Sequence, residues 1–453
     1  MKRGYLHSVV WVVLVTVLAL LGLYWLPAIQ VGDWQMRRID LLADVRPDSV
    51  GIESEQLDSV PVKAQAAKAY ADTCKAGITC INDMSDTTGR GMTPLYDALM
   101  RRNELGRPVR IAVLGDSYIE GDIFTADLRE LLQQHYGGSG VGFVPASSQN
   151  PGFRRSVRQV ARGWTEHSAN EHHGYSATWA NLTGHYFTAG NGAYVELSGV
   201  KNYLSRLDTC TTSSFYFAGT GSAGVRASIN GSNEQYFTAT AGNNVGMLTV
   251  TGRMGRVRWS VDRPASGLVY LGASMETESG VVVDNFALRS ASGLHLSHVS
   301  EKMLADLDQM RHYDLVIIMY GLNVAGKQTS EYVSYRKAMS DAIEHMKASM
   351  PGTGFLIVSV GDREQKSGGS YRTLRGVLSL INVQQQMAYD THVAFWNLYT
   401  AMGGQGSIVS MVQNHEANLD YTHINFRGGH RLARLLYDAI VWGEQFYTRH
   451  MTE

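Results

Sequence analysis

Ser117 stands in the run Gly115-Asp-Ser-Tyr-Ile-Glu-Gly-Asp122. Asp420 and His423 stand three residues apart in Asp420-Tyr-Thr-His423, and Asn323 closes Gly321-Leu-Asn323. These residue types can carry acyl transfer. A serine hydroxyl becomes a nucleophile when a base takes its proton, and imidazole is the common base near neutral pH. The imidazole needs a carboxylate at Nδ1 to fix its tautomer and orientation. The Asp-x-x-His spacing lets Asp420 reach Nδ1 of His423 while Nε2 points at Ser117. The Asn323 amide and the Ser117 backbone N–H are donors of the kind that hold a developing oxyanion. Each piece alone has an ordinary explanation: Gly-Asp-Ser is a common turn, Asp before His a common cap, and Asn after a strand a common turn residue. Their specificity comes from their combination at strand ends.

Those ends belong to a recurring pattern. Arg107–Leu114 reads as a buried strand leading into Gly115-Asp116-Ser117. Asp314–Tyr320 is an unbroken apolar run closed by Gly321, and Gly354–Val360 is another, closed by Gly361-Asp362-Arg363. Val393–Trp396 is a shorter one. Helical periodicity lies between them, in Phe124–Tyr136, Glu301–Arg311 and Ser330–Met350, and again in the closing segment Arg427–Thr448. Continuous apolar strands alternating with helices predict a parallel sheet covered on both faces. In such sheets chemistry collects at the carboxyl ends of the strands. Asp116 is expected to turn the strand end, outside the triad.

From about Gly174 to Gly272 the texture is different. AYVELSGV, SFYFAG, VRASIN, QYFTATA, MLTVTG, VRWSVD and LVYLGA are short runs separated by Gly, Asn, Ser and Asp, with a hairpin signal at Asn230-Gly231. This predicts an all-β sandwich inserted after the first strand of the α/β domain.

With 40 basic and 41 acidic residues among 453, the net charge is -1. No basic field for nucleic acid is present. Val9–Ala28 carries no charge, and about 20 such residues span a hydrocarbon core. Without an Ala-x-Ala-like cleavage site after it, the segment is expected as a transmembrane anchor over 1–32 with the rest of the chain outside the cytoplasm. Three Cys are too few for a disulfide scaffold. In an oxidising space Cys74 and Cys80 can form a local disulfide, leaving Cys210 buried. His172-His173 and the His295/His298 pair have no convincing metal spacing, so no metal or other cofactor is expected. Trp164 and Trp179 can stack on sugars, although core packing explains them equally well.

These blocks resemble the SGNH (GDSL-type) hydrolase family. Block one matches at Gly115-Asp116-Ser117, block three at Gly321-Leu322-Asn323, and block five at Asp420 and His423. Val324 stands where many members have Asp. Block two fits best at Phe286–Gly293, which makes Gly293 an oxyanion donor, with Gly272 as the fallback. A closer resemblance runs through Gly121-Asp122, Tyr136–Pro145 and Gly163-Trp164, to the bacterial peptidoglycan O-acetylesterases. In that group a β-sandwich like a carbohydrate-binding module lies between blocks one and two. The resemblance covers about residues 107–445.

It implies an α/β fold: a three-layer, flavodoxin-like SGNH domain with a parallel sheet, made of 106–170 and 276–453. The sandwich would occupy 171–275, and an extension, 33–105, would join it to the anchor. The implied activity is removal of O-acetyl groups from a cell-envelope polysaccharide, with peptidoglycan the best match, in the periplasm. Ser117, Asp420 and His423 would be catalytic, and Ser117, Gly293 and Asn323 would form the oxyanion hole. The implied partners are an O-acetylated polysaccharide and the membrane, with no nucleic acid. Three alternatives share the motifs or the architecture: a polysaccharide O-acetyltransferase, a glycan-binding protein, and a lipid acylesterase.

Overall fold

The apolar runs Leu315–Met319 and Gly354–Val358 are buried on both faces. The structure, a computed structural model, describes residues 74–452 except 87–88, 172–173, 265, 327–328 and 368–369, together with 11, 15, 30, 31, 34 and 35. The fold lies in the unit Ala66–Glu453. In chain order its strands are β1 (Asn82–Asp83), β2 (Val109–Gly115), β3 (Gly142–Pro145), β4 (Arg158–Ser168), β5 (His185–Ser198), β6 (Cys210–Ile229), β7 (Gln235–Met254), β8 (Arg256–Arg263), β9 (Leu268–Met275), β10 (Val281–Ala287), β11 (Leu315–Met319), β12 (Gly354–Val358) and β13 (Ala394–Trp396). A small hairpin, Glu364–Ser367 with Ser370–Thr373, follows β12. The main helices are α1 (Thr93–Met100), α2 (Thr125–Tyr136), α3 (Glu301–Arg311), α4 (Thr329–Ser349), α5 (Arg375–Asp390) and α6 (Phe426–Thr452).

The α/β sheet has the order β10-β2-β11-β12-β13-β1. The first five strands are parallel and β1 is antiparallel to β13. Counted along the chain, the parallel strands lie 2-1-3-4-5, the flavodoxin-like order. Successive residues of β2 face opposite layers. Ile111 and Val113 pack with Leu95 and Leu99 of α1, Leu128 and Leu132 of α2, and Leu432, Leu436 and Ile440 of α6. Ala112 and Leu114 pack with Leu304 of α3, Met339 and Ile343 of α4, and Leu380 of α5. Three layers result. The segment expected as an extension therefore enters this layer structure at its end, through β1 and α1. Cys74 and Cys80 are disulfide-bonded, and between them the Thr79 carbonyl accepts from Trp396 Nε1 at 2.8 Å. Cys210 is free and buried.

Two features correct the expected fold class. The inserted β region is a closed antiparallel barrel where two packed sheets were expected. Its ring runs β5–β8–β6–β9 and back to β5, closed by the Tyr270–Phe187 pair. Strands β3, β4 and β7 extend it, so the sheet begins at Gly142, well before residue 171. SFYFAG and VRASIN are two halves of the single strand β6, and QYFTATA and MLTVTG are two halves of β7. The first half of β6 pairs with β9 and the second half with β8. A long strand that changes partner midway wraps one sheet on itself. The change falls near Gly219, at φ 123°, where a Cβ would sit 2.0 Å from the Gly267 carbonyl oxygen.

The second correction concerns the anchor. Among the described residues no helix is long and apolar enough to cross a membrane, which takes about 20 apolar residues in one helix. Apart from Trp11, Val15, Gln30 and Val31, the expected span 1–32 lies outside the described residues, as do His172 and His173.

The barrel is fastened to the α/β layers. Phe143, Tyr216 and Leu271 of the barrel share one apolar cluster with Phe286, Leu307 and Tyr313. Beside it, buried Arg311 meets Asp284 at 2.6 Å and Glu276 at 2.9 Å. Tyr313 donates to Asp284 at 2.7 Å, and Arg110 pairs with Glu276 at 2.8 Å. Removing one member of such a network strands a charge in the interior.

Candidate active site

β2 carries Ser117 to the rim of the sheet and then turns sharply, with the Ile119 N–H donating to the Asp116 carbonyl at 3.2 Å. The turn is built around the Asp116 carboxylate, which is 1% exposed. Its Oδ1 accepts from the Tyr118 N–H at 3.0 Å, and the Leu322 and Gly321 N–H groups also donate to it. Its Oδ2 accepts from Asn323 Nδ2 at 3.3 Å. One buried carboxylate thus joins the turn after β2 to the turn after β11. Burial pushes the Asp116 carboxyl up to about 6, against the hydrogen bonds it receives.

The turn before α6 brings in the other half of the constellation. Ser117 Oγ lies 3.0 Å from His423 Nε2, and His423 Nδ1 lies 2.7 Å from Asp420 Oδ2. A carboxylate can only accept, so Nδ1 carries the proton and Nε2 accepts from the serine hydroxyl. The other Asp420 oxygen, Oδ1, accepts from the Thr422 and His423 N–H groups, each at 3.0 Å. Both oxygens of Asp420 are therefore engaged within its own turn, which sets the imidazole plane. Burial raises the Asp420 carboxyl, but these bonds outweigh it and hold it below its ordinary value. The His423 side chain is 38% exposed and that of Asp420 47%, so water reaches the pair.

Tyr421, inside this turn, adopts the left-handed conformation at φ 52°. Its carbonyl accepts from the Glu364 N–H at 3.1 Å. Its ring stacks on Tyr371 of the small hairpin, with centroids 3.9 Å apart. Arg363, where that hairpin starts, donates to the Leu322 carbonyl at 3.1 Å. The hairpin contacts both the His423 turn and the Asn323 turn, a role that nothing in the sequence reading assigned to it.

Asn323 also donates to the Ala291 carbonyl at 3.0 Å, which brings the loop after β10 to the site. Gly293 lies on that loop, two residues further on. It is buried at φ 92°, and a Cβ there would press on Tyr320 and Met339, at 2.9 and 3.0 Å. The fallback, Gly272, lies within barrel strand β9, paired with Pro145, and takes no part in the site. Strand β10, which carries this loop, escaped the sequence reading; the run Val281-Val-Val283 was its signal. Of the tryptophans, Trp164 donates to the Tyr194 carbonyl and packs edge-on against Tyr270 at 5.2 Å, as part of the barrel wall. Among the described residues no group of three His, Cys, Asp or Glu side chains is placed to hold a metal ion.

No family model matches the chain, and no curated protein matches it at a significant level. Among solved structures, a peptidoglycan O-acetylesterase superimposes with a TM-score of 0.67, at 21% identity over 81% of this chain and 99% of that one. A Bacillus subtilis protein aligns with a TM-score of 0.31, at 13% identity over 67% of this chain and 90% of that one. A family two carbohydrate esterase from Clostridium thermocellum aligns with a TM-score of 0.26, at 13% identity over 62% and 100%. An α/β domain with an inserted barrel, shared along nearly the whole length of the O-acetylesterase, is thus the fold of this chain.

Proposed function

We propose that the chain is an SGNH-type serine esterase that removes O-acetyl groups from a polysaccharide, with peptidoglycan as the substrate, outside the cytoplasm. One observation carries this reading: the line from Ser117 Oγ through His423 to Asp420, with contacts of 3.0 and 2.7 Å. In the first half-reaction Ser117 Oγ attacks the acetyl carbonyl carbon as His423 Nε2 takes its proton. The oxyanion is held by the Ser117 and Gly293 N–H groups and by Asn323 Nδ2, whose longer bond, to Asp116, is the one it can exchange. His423 then protonates the departing sugar oxygen, leaving acetyl-Ser117. In the second half, water attacks the acetyl carbon while His423 takes its proton. Collapse returns that proton to Ser117 and releases acetate.

The exposure of His423 favours water over a second sugar as the acceptor, and so hydrolysis over acetyl transfer. The Cys74–Cys80 disulfide supports an oxidising compartment. The fold shared with a peptidoglycan O-acetylesterase supports the substrate class. The test is acetate release by the full chain from O-acetylated peptidoglycan, with O-acetylated xylan in parallel. Release from peptidoglycan is the expected result, and release from xylan alone would move the assignment to another glycan.

A further inference from the structure

We infer that the cleft between the barrel and the α/β domain, lined by the loop that follows Ser117, is a saccharide subsite that holds the sugar chain next to the acetylated residue. The inference rests on the esterase reading for its orientation and adds to it where the polymer is bound. The cleft has a volume of about 350 Å³, within the range of roughly 300–1,000 Å³ common for ligand sites.

Its α/β wall consists of the two loops that build the active site. Glu120 and Gly121 come just after Ser117, and Leu288–Ser290 come just before Ala291, the partner of Asn323. These loops are joined by the bond from the Leu288 N–H to the Gly115 carbonyl at 2.8 Å, and Arg289 faces Glu120 at 3.9 Å. A ligand in the cleft therefore touches the loops on which the nucleophile and the oxyanion groups sit.

The opposite wall is barrel. Glu166 of β4 lies 2.8 Å from His185 of β5, and Gln149 donates to Glu166 at 3.3 Å. Burial raises the Glu166 carboxyl, but these contacts outweigh it and keep it below its ordinary value, available as an acceptor. Phe153 borders the same space and is 42% exposed. Planar carboxylate and amide groups suit paired sugar hydroxyls, and an exposed ring suits the C–H face of a pyranose. Asp122, which lines the cleft with Arg154, is paired both with Arg154 and with buried Arg129. The remaining acids, Glu120, Glu166 and Glu171, outnumber the remaining cation, Arg289, so the fit is to hydroxyls and amides and not to a polyanion.

The test separates binding from chemistry. Soluble de-O-acetylated peptidoglycan fragments are titrated calorimetrically into the full chain and into two variants, Glu166→Ala and Ser148→Trp. The first removes the acceptor, and the second fills the cleft from its exposed loop. The inference expects binding to the native chain and a weakening of about tenfold or more in each variant, the scale of one charged hydrogen bond. Turnover of an aryl acetate by the variants should match the native rate. Equal binding by all three proteins, or none by the native chain, would overturn the inference. So would loss of aryl-acetate turnover in step with binding, since the substitutions would then act through the site at Ser117. If the native chain binds fragments and the variants do not, yet no protein cleaves an aryl acetate, the esterase reading fails and the saccharide site stands.

Discussion

Asp116, the residue before the nucleophile, accepts a hydrogen bond at 3.3 Å from Asn323, which lies 207 positions further on. The nucleophile turn and the oxyanion turn are thereby held by one buried carboxylate, while the base and its orienting acid come from a third turn.

Asn323→Ala removes the side-chain donor. The expected loss is about 10²–10³ in kcat on a small acetyl ester, the usual scale for one oxyanion donor. Steady-state kinetics on a circular-dichroism-matched variant checks this. A loss of less than about threefold would take Asn323 out of the site.

Asp116 also gives the stability curve a sign. Its folded pKa of about 6 is raised above the ordinary 3.8, mainly by burial. Between those values the unfolded chain has released a proton that the folded chain retains. Stability from this residue is therefore present at low pH and is lost as pH rises through about 6. Urea denaturation of the native chain and of Asp116→Asn between pH 4 and 7 should show the difference between the two curves changing across this window. A constant difference would contradict the shift.

Asp122 behaves in the opposite sense. Arg129, which is buried, and Arg154, which is half-buried, each lie 3.0 Å from its carboxylate. Burial alone would raise it, but these cations hold it far below its ordinary value. Its contribution is present above the ordinary 3.8 and is lost as pH falls below it. Asp122→Asn leaves buried Arg129 and half-buried Arg154 short of their partner and should cost about 3–5 kcal/mol in chemical denaturation. A cost below about 1 kcal/mol would mean that the interior accommodates them otherwise.

Tyr371 is expected to act through position alone. Its ring stacks on Tyr421 of the His423 turn. If that contact holds the turn, Tyr371→Ala should lower kcat about threefold to tenfold with KM little changed, and Tyr371→Phe should restore it. Native kcat in the Ala variant would mean that the hairpin does not steady the turn.

Much of this site was legible because its parts are local. Asp420 and His423 are three residues apart, and a turn of that length brings carboxylate and ring together with no help from elsewhere. Strands β11 and β12 were legible because their runs are unbroken and apolar, and β2 because Arg110 alone interrupts its run. Strand β10 was hidden because Asp284 and Asn285 interrupt its run, and both are polar for reasons found only in three dimensions. Asp284 meets Arg311, and Asn285 donates to the Ile119 carbonyl at 2.7 Å. The barrel was misread because glycines inside β6 and β7 look like strand ends. Whether a sheet closes depends on where a strand changes partner, and pairing across the sheet leaves no mark on local periodicity.

In the proposed reaction Ser117 carries the acetyl group. Acetate release from O-acetylated peptidoglycan by the full chain, compared with Ser117→Ala, tests this. Steady release by the native chain is expected, and none above background from the variant, with the variant folded, because Ser117 sits half-buried at a turn and not in the core. Equal release by both proteins would contradict it.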